Sequence, residues 1–196
     1  MQVGERAQNC YIFIMAWDIS LFRTINNVAG QWPVLDWLGV FFAEHIQYIV
    51  GAMLVVLWFW PKDQRDKNRI TISVALVSAV VSRFVITSGI RLFYHHPRPY
   101  VVLTDVHRLI DGNPSEAMAS FPSGHAAFFF ALAMAVWLFG RRLGWVLFTI
   151  ALSMGVARVF VGVHWPSDIV GGALVGIAVA WSIDRLLRAT SILRRQ

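Results

Sequence analysis

The chain has 196 residues, of which 57% are hydrophobic and only 14% charged, and its mean hydropathy is +0.59. Soluble domains carry about 25% charged residues, so the composition excludes a water-soluble protein and points to one embedded in a membrane. The formal net charge of +6 invites a nucleic-acid reading, but the distribution of the basic residues excludes it.

Of the 17 Lys and Arg, ten lie in three short patches, Lys62 to Arg69, Arg141-Arg142 and Arg185 to Arg195. These patches alternate with apolar segments as the positive-inside rule requires of cytoplasmic loops. Topology therefore accounts for most of the basicity, and no nucleic-acid partner is expected. The single Cys10 excludes an internal disulfide. The N-terminus lacks the ordered basic, apolar and small-residue regions of a cleavable signal peptide.

Residues 11–30 are apolar but interrupted by Asp18, Arg23, Asn26 and Asn27, which suits an interfacial helix better than a first transmembrane helix. Pro33 breaks the chain before the next segment. Five apolar segments follow, at about 35–60, 70–94, 124–140, 143–163 and 167–187, each near the ~20 residues that cross a bilayer. The expected fold is an all-α integral membrane bundle of five to six transmembrane helices, with residues 1–196 forming a single domain. Trp58, Trp60, Trp137 and Trp145 flank the basic patches, and Trp32, Trp37 and Trp165 lie towards the other side, as aromatic belts do. Gly172-x-x-x-Gly176 offers a small-residue face for close helix packing.

With the basic patches inside, the loop 95–123 and the short loop at 163–167 face outside. Arg91, Arg98, Arg108 and Arg158 then lie at the outer face, against the topological bias. Binding an anion is the simplest reason for them.

Three stretches carry the chemistry. Ser120 to His125 ends the polar loop and opens an apolar helix, so Pro122, Ser123 and Gly124 fall where backbone N–H groups are unpaired and the dipole is positive. Such a terminus holds phosphate. In Arg91 to Pro99, Pro97 and Pro99 hold Arg98 in an extended turn. The two guanidinium forks suit bidentate contact with phosphate oxygens, although arginines at helix ends also meet lipid headgroups. In Arg158 to Asp168, a carboxylate four residues beyond His164 can reach one imidazole nitrogen and leave the other free to attack. The bland alternative is a His–Asp pair that only caps the helix begun at Pro166. Together the set fits phosphoryl transfer. Arg91, Arg98, Arg158, the Ser123 hydroxyl and the Ser123 and Gly124 amides neutralise the oxygens, His164 attacks, and His125 protonates the leaving oxygen.

These stretches resemble the signature of the type 2 phosphatidic acid phosphatase superfamily, which also includes the vanadium haloperoxidases. The family pattern is K-x6-R-P, P-S-G-H and S-R-x5-H-x3-D. Here it reads Arg91-x6-Arg98-Pro99, Pro122-Ser-Gly-His125 and Ala157-Arg158-x5-His164-x3-Asp168. Arg91 replaces the motif lysine, exchanging a point charge for a fork, and Ala157 replaces the motif serine, removing one hydroxyl. The resemblance implies an integral-membrane phosphatase with a phosphohistidine on His164, His125 as acid and Asp168 as the residue that orients His164. It also implies that no metal or other cofactor is needed, and His95, His96 and His107 carry no metal-site spacing with the other histidines.

The stretches Ile19 to Asn26, Val34 to Leu38, Phe41 to Glu44, His107 to Ile110 and Ser120 to Ser123 are similar to the bacitracin-resistance branch of undecaprenyl-diphosphatases, whose members often carry Asp where Gly124 stands. That branch implies undecaprenyl diphosphate as substrate, cleaved to the monophosphate on the extracytoplasmic side of a bacterial cytoplasmic membrane. A phosphatidic acid or phosphatidylglycerol phosphate phosphatase is the rival enzyme, and a lipid-binding or transport module without turnover is the rival of another class. The expected partners are the polyprenyl diphosphate or phospholipid substrate and the surrounding membrane lipids.

Two charges remain. Glu44 and Arg83 sit roughly 13–17 Å deep in neighbouring antiparallel spans at 1.5 Å per residue, so a structural Glu44–Arg83 bridge is expected, because unpaired charge there is costly. The functional alternative is that Glu44 and His45 contact a diphosphate headgroup.

Overall fold

The computed structural model describes residues 16–59, 62–111 and 114–190. Cys10, Trp60, the first residues of the 11–30 segment and the tail arginines Arg194 and Arg195 lie outside them.

Five helices form the body of the fold. After a helix at residues 16–26 (α1) come α2 (Pro33–Phe59), α3 (Arg65–Phe93), the single turn α4 (Pro99–Val102), α5 (Gly124–Phe139), α6 (Arg141–Phe160) and α7 (Pro166–Ala189). Four of these, α2, α3, α6 and α7, are long and apolar enough to cross a membrane, and α5 is a shorter apolar helix. The chain is a multi-pass, all-helical membrane protein. Prolines at the first helical position start α2, α4 and α7, where the missing N–H costs nothing and φ is already helical. The span expected at 70–94 begins earlier, at Arg65, because its basic first turn is already helical.

α5 is the axis of the bundle and packs against α3, α6 and α7. Its Ala126, Ala127, Ala131, Ala133 and Ala135 are fully buried, and these small side chains let neighbouring backbones come close. The closest approach is to α7. A Cβ on Gly172 would stand 2.8 Å from the Ala126 Cβ, and one on Gly176 would meet the Ala127 carbonyl and stand 2.7 Å from the Ala131 amide. The small-residue face of α7 therefore grips the half of α5 nearest His125.

α6 stops at Phe160, three residues before the expected end, because Gly162 takes φ = +84° and turns the chain. A Cβ there would be strained and would press on the Val106 side chain and the His107 carbonyl, 2.8 and 2.9 Å away. This turn delivers Val163, His164 and Trp165 to α7.

α1 is fastened across the same end of the bundle. The Asp18 carboxylate accepts from the Ser167 amide at 2.9 Å and from its hydroxyl, capping the start of α7. The Asn26 amide donates to the Phe160 and His107 carbonyls at 2.7 and 2.8 Å. Phe22, 1% exposed, packs on Trp165 with ring centroids 5.3 Å apart, and Arg23 pairs with Asp105 at 3.0 Å. The polar interruptions of this segment are thus its anchors.

Gly176→Leu is expected to destabilise the bundle by at least about 1–3 kcal/mol through overpacking against α5. Gly140→Ala, where a Cβ meets nothing within 4 Å, leaves that packing intact. Thermal unfolding in detergent, followed for both variants, checks the difference.

Candidate active site

All three motif stretches meet at the end of the bundle covered by α1. Asp168, in the first turn of α7, is fully buried. Its Oδ2 accepts from the Trp165 amide at 2.8 Å, from His164 Nδ1 at 3.1 Å and from the Ser120 hydroxyl. Its Oδ1 faces His96 Nδ1 at 3.4 Å, and its backbone carbonyl accepts from the Ser123 amide at 3.0 Å. Because the carboxylate can only accept, Nδ1 of His164 carries the proton and Nε2 keeps its lone pair. His164 is 1% exposed. Burial pushes its pKa down to about 3, against the opposing pull of Asp168. A neutral imidazole, held by a carboxylate, is a nucleophile in its reactive form.

The cavity in front of it holds about 170 Å³ and is lined by Arg83, Arg91, Arg98, Arg158, Thr87, Ser88, Glu116, Gly124, His125 and His164. Backbone carbonyls hold the guanidiniums in place. Arg91 donates to Pro122 at 2.9 Å, Arg98 to Val163 at 3.2 Å and Arg158 to Ala43 at 3.2 Å. Glu116 adds a carboxylate, 2.7 Å from Arg98 and 3.9 Å from Arg91. The Nε atoms of Arg91 and Arg158 are buried without a hydrogen-bond partner, as is the Thr87 hydroxyl. Buried donors without partners are costly, and an anion in the cavity would supply acceptors.

The expected residues Arg91, Arg98, Arg158, Gly124, His125 and His164 all border this one space, with Asp168 directly behind His164. Ser123 is placed differently. It is fully buried, its amide is already bonded to Asp168, and its hydroxyl caps α5 by accepting from the Ala126 amide at 3.5 Å. The amides left at the helix start are those of Gly124 and His125, which have no intrahelical acceptor.

Arg108 does not join the anion site. It lies 4.5 Å over the Tyr100 ring and donates to the Ile110 carbonyl at 2.9 Å. The Glu44–Arg83 bridge is also not formed: no ion pair joins them within 4.0 Å among the described residues. Arg83 turns into the phosphate-sized cavity instead, and Glu44 borders an adjoining space with His45, His125 and Arg158. Depth along a helix is legible in a sequence; the direction a side chain takes around it is not. Both residues also sit in π-turns, Phe41–His45 and Val81–Thr87, which rotate the helix beyond them.

Sequence reasoning missed Thr87, Glu116, Ser120 and His96 as members of the site. Thr87 lines the cavity from α3, and its hydroxyl is buried without a hydrogen-bond partner among the described residues. Ser120 was in view as part of its motif but not as a partner of Asp168.

An anion cradle backed by a carboxylate-held histidine, built into membrane-spanning helices, defines a membrane protein that handles phosphorylated lipid. Comparison with known proteins agrees. The model described as PAP2 superfamily matches residues 72–190. Bacitracin transport permease protein BcrC of Bacillus licheniformis is 30% identical over 173 residues, covering 86% of this chain and 82% of that protein. Undecaprenyl-diphosphatase BcrC of Bacillus subtilis is 32% identical over 168 residues, covering 86% and 83%. The crystal structure of Aquifex aeolicus LpxE aligns with a TM-score of 0.67 and 29% identity, over 85% of this chain and 94% of that one. The chain belongs to the PAP2 superfamily of phosphatases.

The buried neutral state of His164 predicts a pH dependence of stability. Below about pH 6.5 the unfolded chain protonates this histidine, while the folded one does not until about pH 3. The unfolded state then binds the extra proton, so below about pH 6.5 stability drops as the pH is lowered, by up to about 1.4 kcal/mol per unit from this group. His164→Gln should gain stability relative to the wild type by about 1–2 kcal/mol between pH 7 and pH 5, read from melting curves in detergent. A constant gap would mean that His164 titrates normally.

Proposed function

We propose that this protein removes the terminal phosphate of undecaprenyl diphosphate, through a phosphohistidine on His164 and without a metal ion, at the extracytoplasmic face of a bacterial cytoplasmic membrane. The observation that carries the mechanism is the Asp168–His164 contact at 3.1 Å beneath the guanidiniums of Arg91, Arg98 and Arg158.

Each step follows from that arrangement. The terminal phosphate enters the cavity, where three forks and the amides at the start of α5 neutralise its oxygens. His164 Nε2 attacks phosphorus, and the imidazolium that forms shares its Nδ1 proton with Asp168, which stabilises the charge. The bond to the bridging oxygen breaks, and that oxygen keeps the electron pair. His125, which borders the same cavity, supplies a proton to the departing oxygen. Water then attacks the phosphohistidine and gives its proton to His125, so the P–N bond breaks and inorganic phosphate leaves. The work that a divalent cation performs in other phosphoryl transfers, neutralising oxygen charge, falls here to arginine side chains.

Support for the substrate comes from the relative named undecaprenyl-diphosphatase, which this chain matches over most of both lengths. Support for the side comes from charge. The basic ends of α3 and α6 lie at the end of the bundle away from His164, where the positive-inside rule places the cytoplasm.

The test is phosphate release by detergent-purified protein in excess EDTA, with undecaprenyl diphosphate, phosphatidic acid and phosphatidylglycerol phosphate offered in parallel. Turnover is expected to persist in EDTA, to favour the diphosphate, and to fall on the order of 10³-fold or more in His164→Ala. Activity that requires added metal, or that survives without His164, overturns the mechanism. Binding without release assigns the protein to the transport class.

A further inference from the structure

We propose that Arg83 is the residue that selects diphosphate over monophosphate lipids, its guanidinium holding the lipid-side phosphate that departs with the hydrocarbon. The inference rests on the phosphatase reading above and concerns the same site.

Two cavities meet at Arg83. The polar one, of about 170 Å³, contains His164, Arg91, Arg98 and Arg158. The other, of about 390 Å³, runs between α2, α3 and α5 and is walled by Val50, Leu54, Leu76, Phe128, Phe129 and Leu132. Arg83, Phe84 and His125 border both, whereas His164, Arg91, Arg98 and Arg158 border only the polar one of the two. A lipid with its terminal phosphate at His164 and its hydrocarbon in the apolar cavity passes its linking group between Arg83 and His125 where these two cavities meet.

Arg83 belongs to no ion pair within 4.0 Å among the described residues, whereas Glu116 pairs with Arg98 and reaches Arg91. Its guanidinium lies 5.4 Å from the Phe84 ring, and its Cγ stands against the start of α5, 3.6 Å from where a Gly124 Cβ would be. A half-buried guanidinium in an apolar helix is costly unless it meets an anion. The π-turn Val81–Thr87 that carries it is of the kind that recurs at functional sites.

The chemistry at that position differs between substrate classes. In a diphosphate, attack by His164 Nε2 forms the P–N bond while the bond from the terminal phosphorus to the bridging oxygen breaks. The electron pair passes to that oxygen, and the leaving lipid phosphate gains negative charge beside Arg83. In a phosphatidic acid, the same place holds an uncharged ester oxygen and glycerol. Arg83 thus stabilises the departing group of the first and has no anion to hold in the second.

The experiment compares kcat/KM for undecaprenyl diphosphate and for phosphatidic acid in the wild type, Arg83→Met and Arg83→Lys, each checked for a folded state by gel filtration. Arg83→Met should lower the diphosphate-to-monophosphate ratio at least about tenfold, the scale of one charge-assisted hydrogen bond, and Arg83→Lys should recover part of it. A ratio within about twofold of the wild type in Arg83→Met overturns the assignment. The wild type supplies an arm independent of folding: methylenediphosphonate should inhibit at least about tenfold more strongly than inorganic phosphate, and equal inhibition also overturns it. A wild type that releases no phosphate from any lipid sinks the phosphatase reading itself. One that hydrolyses phosphatidic acid alone leaves that reading standing and removes the role of Arg83.

Discussion

The buried carboxylate of Asp168 is the constraint on which the site depends. It takes hydrogen bonds from His164, the Trp165 amide and Ser120, and its own backbone carbonyl takes the Ser123 amide. One residue at the start of α7 thereby fixes the imidazole, the polar loop and the first turn of α5. A carboxylate without solvent is costly unless donors meet it; Oδ2 takes three donors, and Oδ1 faces His96 Nδ1 at 3.4 Å. His164 is held not by one bond but by a network, in which His96 and Ser120 stand around Asp168.

Packing brings the network together. Gly172 and Gly176 let α7 lie directly on the backbone of α5, which sets Asp168 beside Ser123. Gly162 allows the tight turn that carries His164 across. α1 then closes over the turn: Asn26 takes up the Phe160 and His107 carbonyls and Asp18 caps α7. An amphipathic segment too polar to be a comfortable transmembrane helix is explained by these jobs. Its Asp18 carboxylate and Asn26 amide satisfy the start of α7 and the end of α6, which would otherwise be buried without partners.

Much of this was legible in the sequence because it depends on spacing. The apolar runs marked the spans, and the intervals from Arg91 to Arg98 and from His164 to Asp168 are local enough to survive any packing. Pro166 announced the start of α7. What was not legible depends on rotation about helix axes and on loops. Glu44 and Arg83 share a depth, yet each lies inside a π-turn, where the extra residue changes the direction side chains take around the axis, so equal depth did not bring the two together. Arg108 carried the same topological anomaly as Arg98 but lies over Tyr100. The flanking prolines Pro97 and Pro99 set Arg98 apart, and Arg108 has none beside it. Thr87 joins the cavity only through the placement of its helix, which no spacing along the chain announces.

The site also solves a problem of charge in a membrane. Four guanidiniums border one small cavity, and among the described residues only Glu116 is within ion-pair reach of any of them, touching Arg98 and Arg91. Mutual repulsion in a low dielectric is severe, so the protein holds the forks with main-chain carbonyls of Pro122, Val163 and Ala43, which orient without neutralising. Full neutralisation by acidic residues would make a stable but inert core. Leaving positive charge in excess suits a place for an anion, and that charge depends on how α3, α6 and the loop before Pro99 are arranged rather than on any single residue.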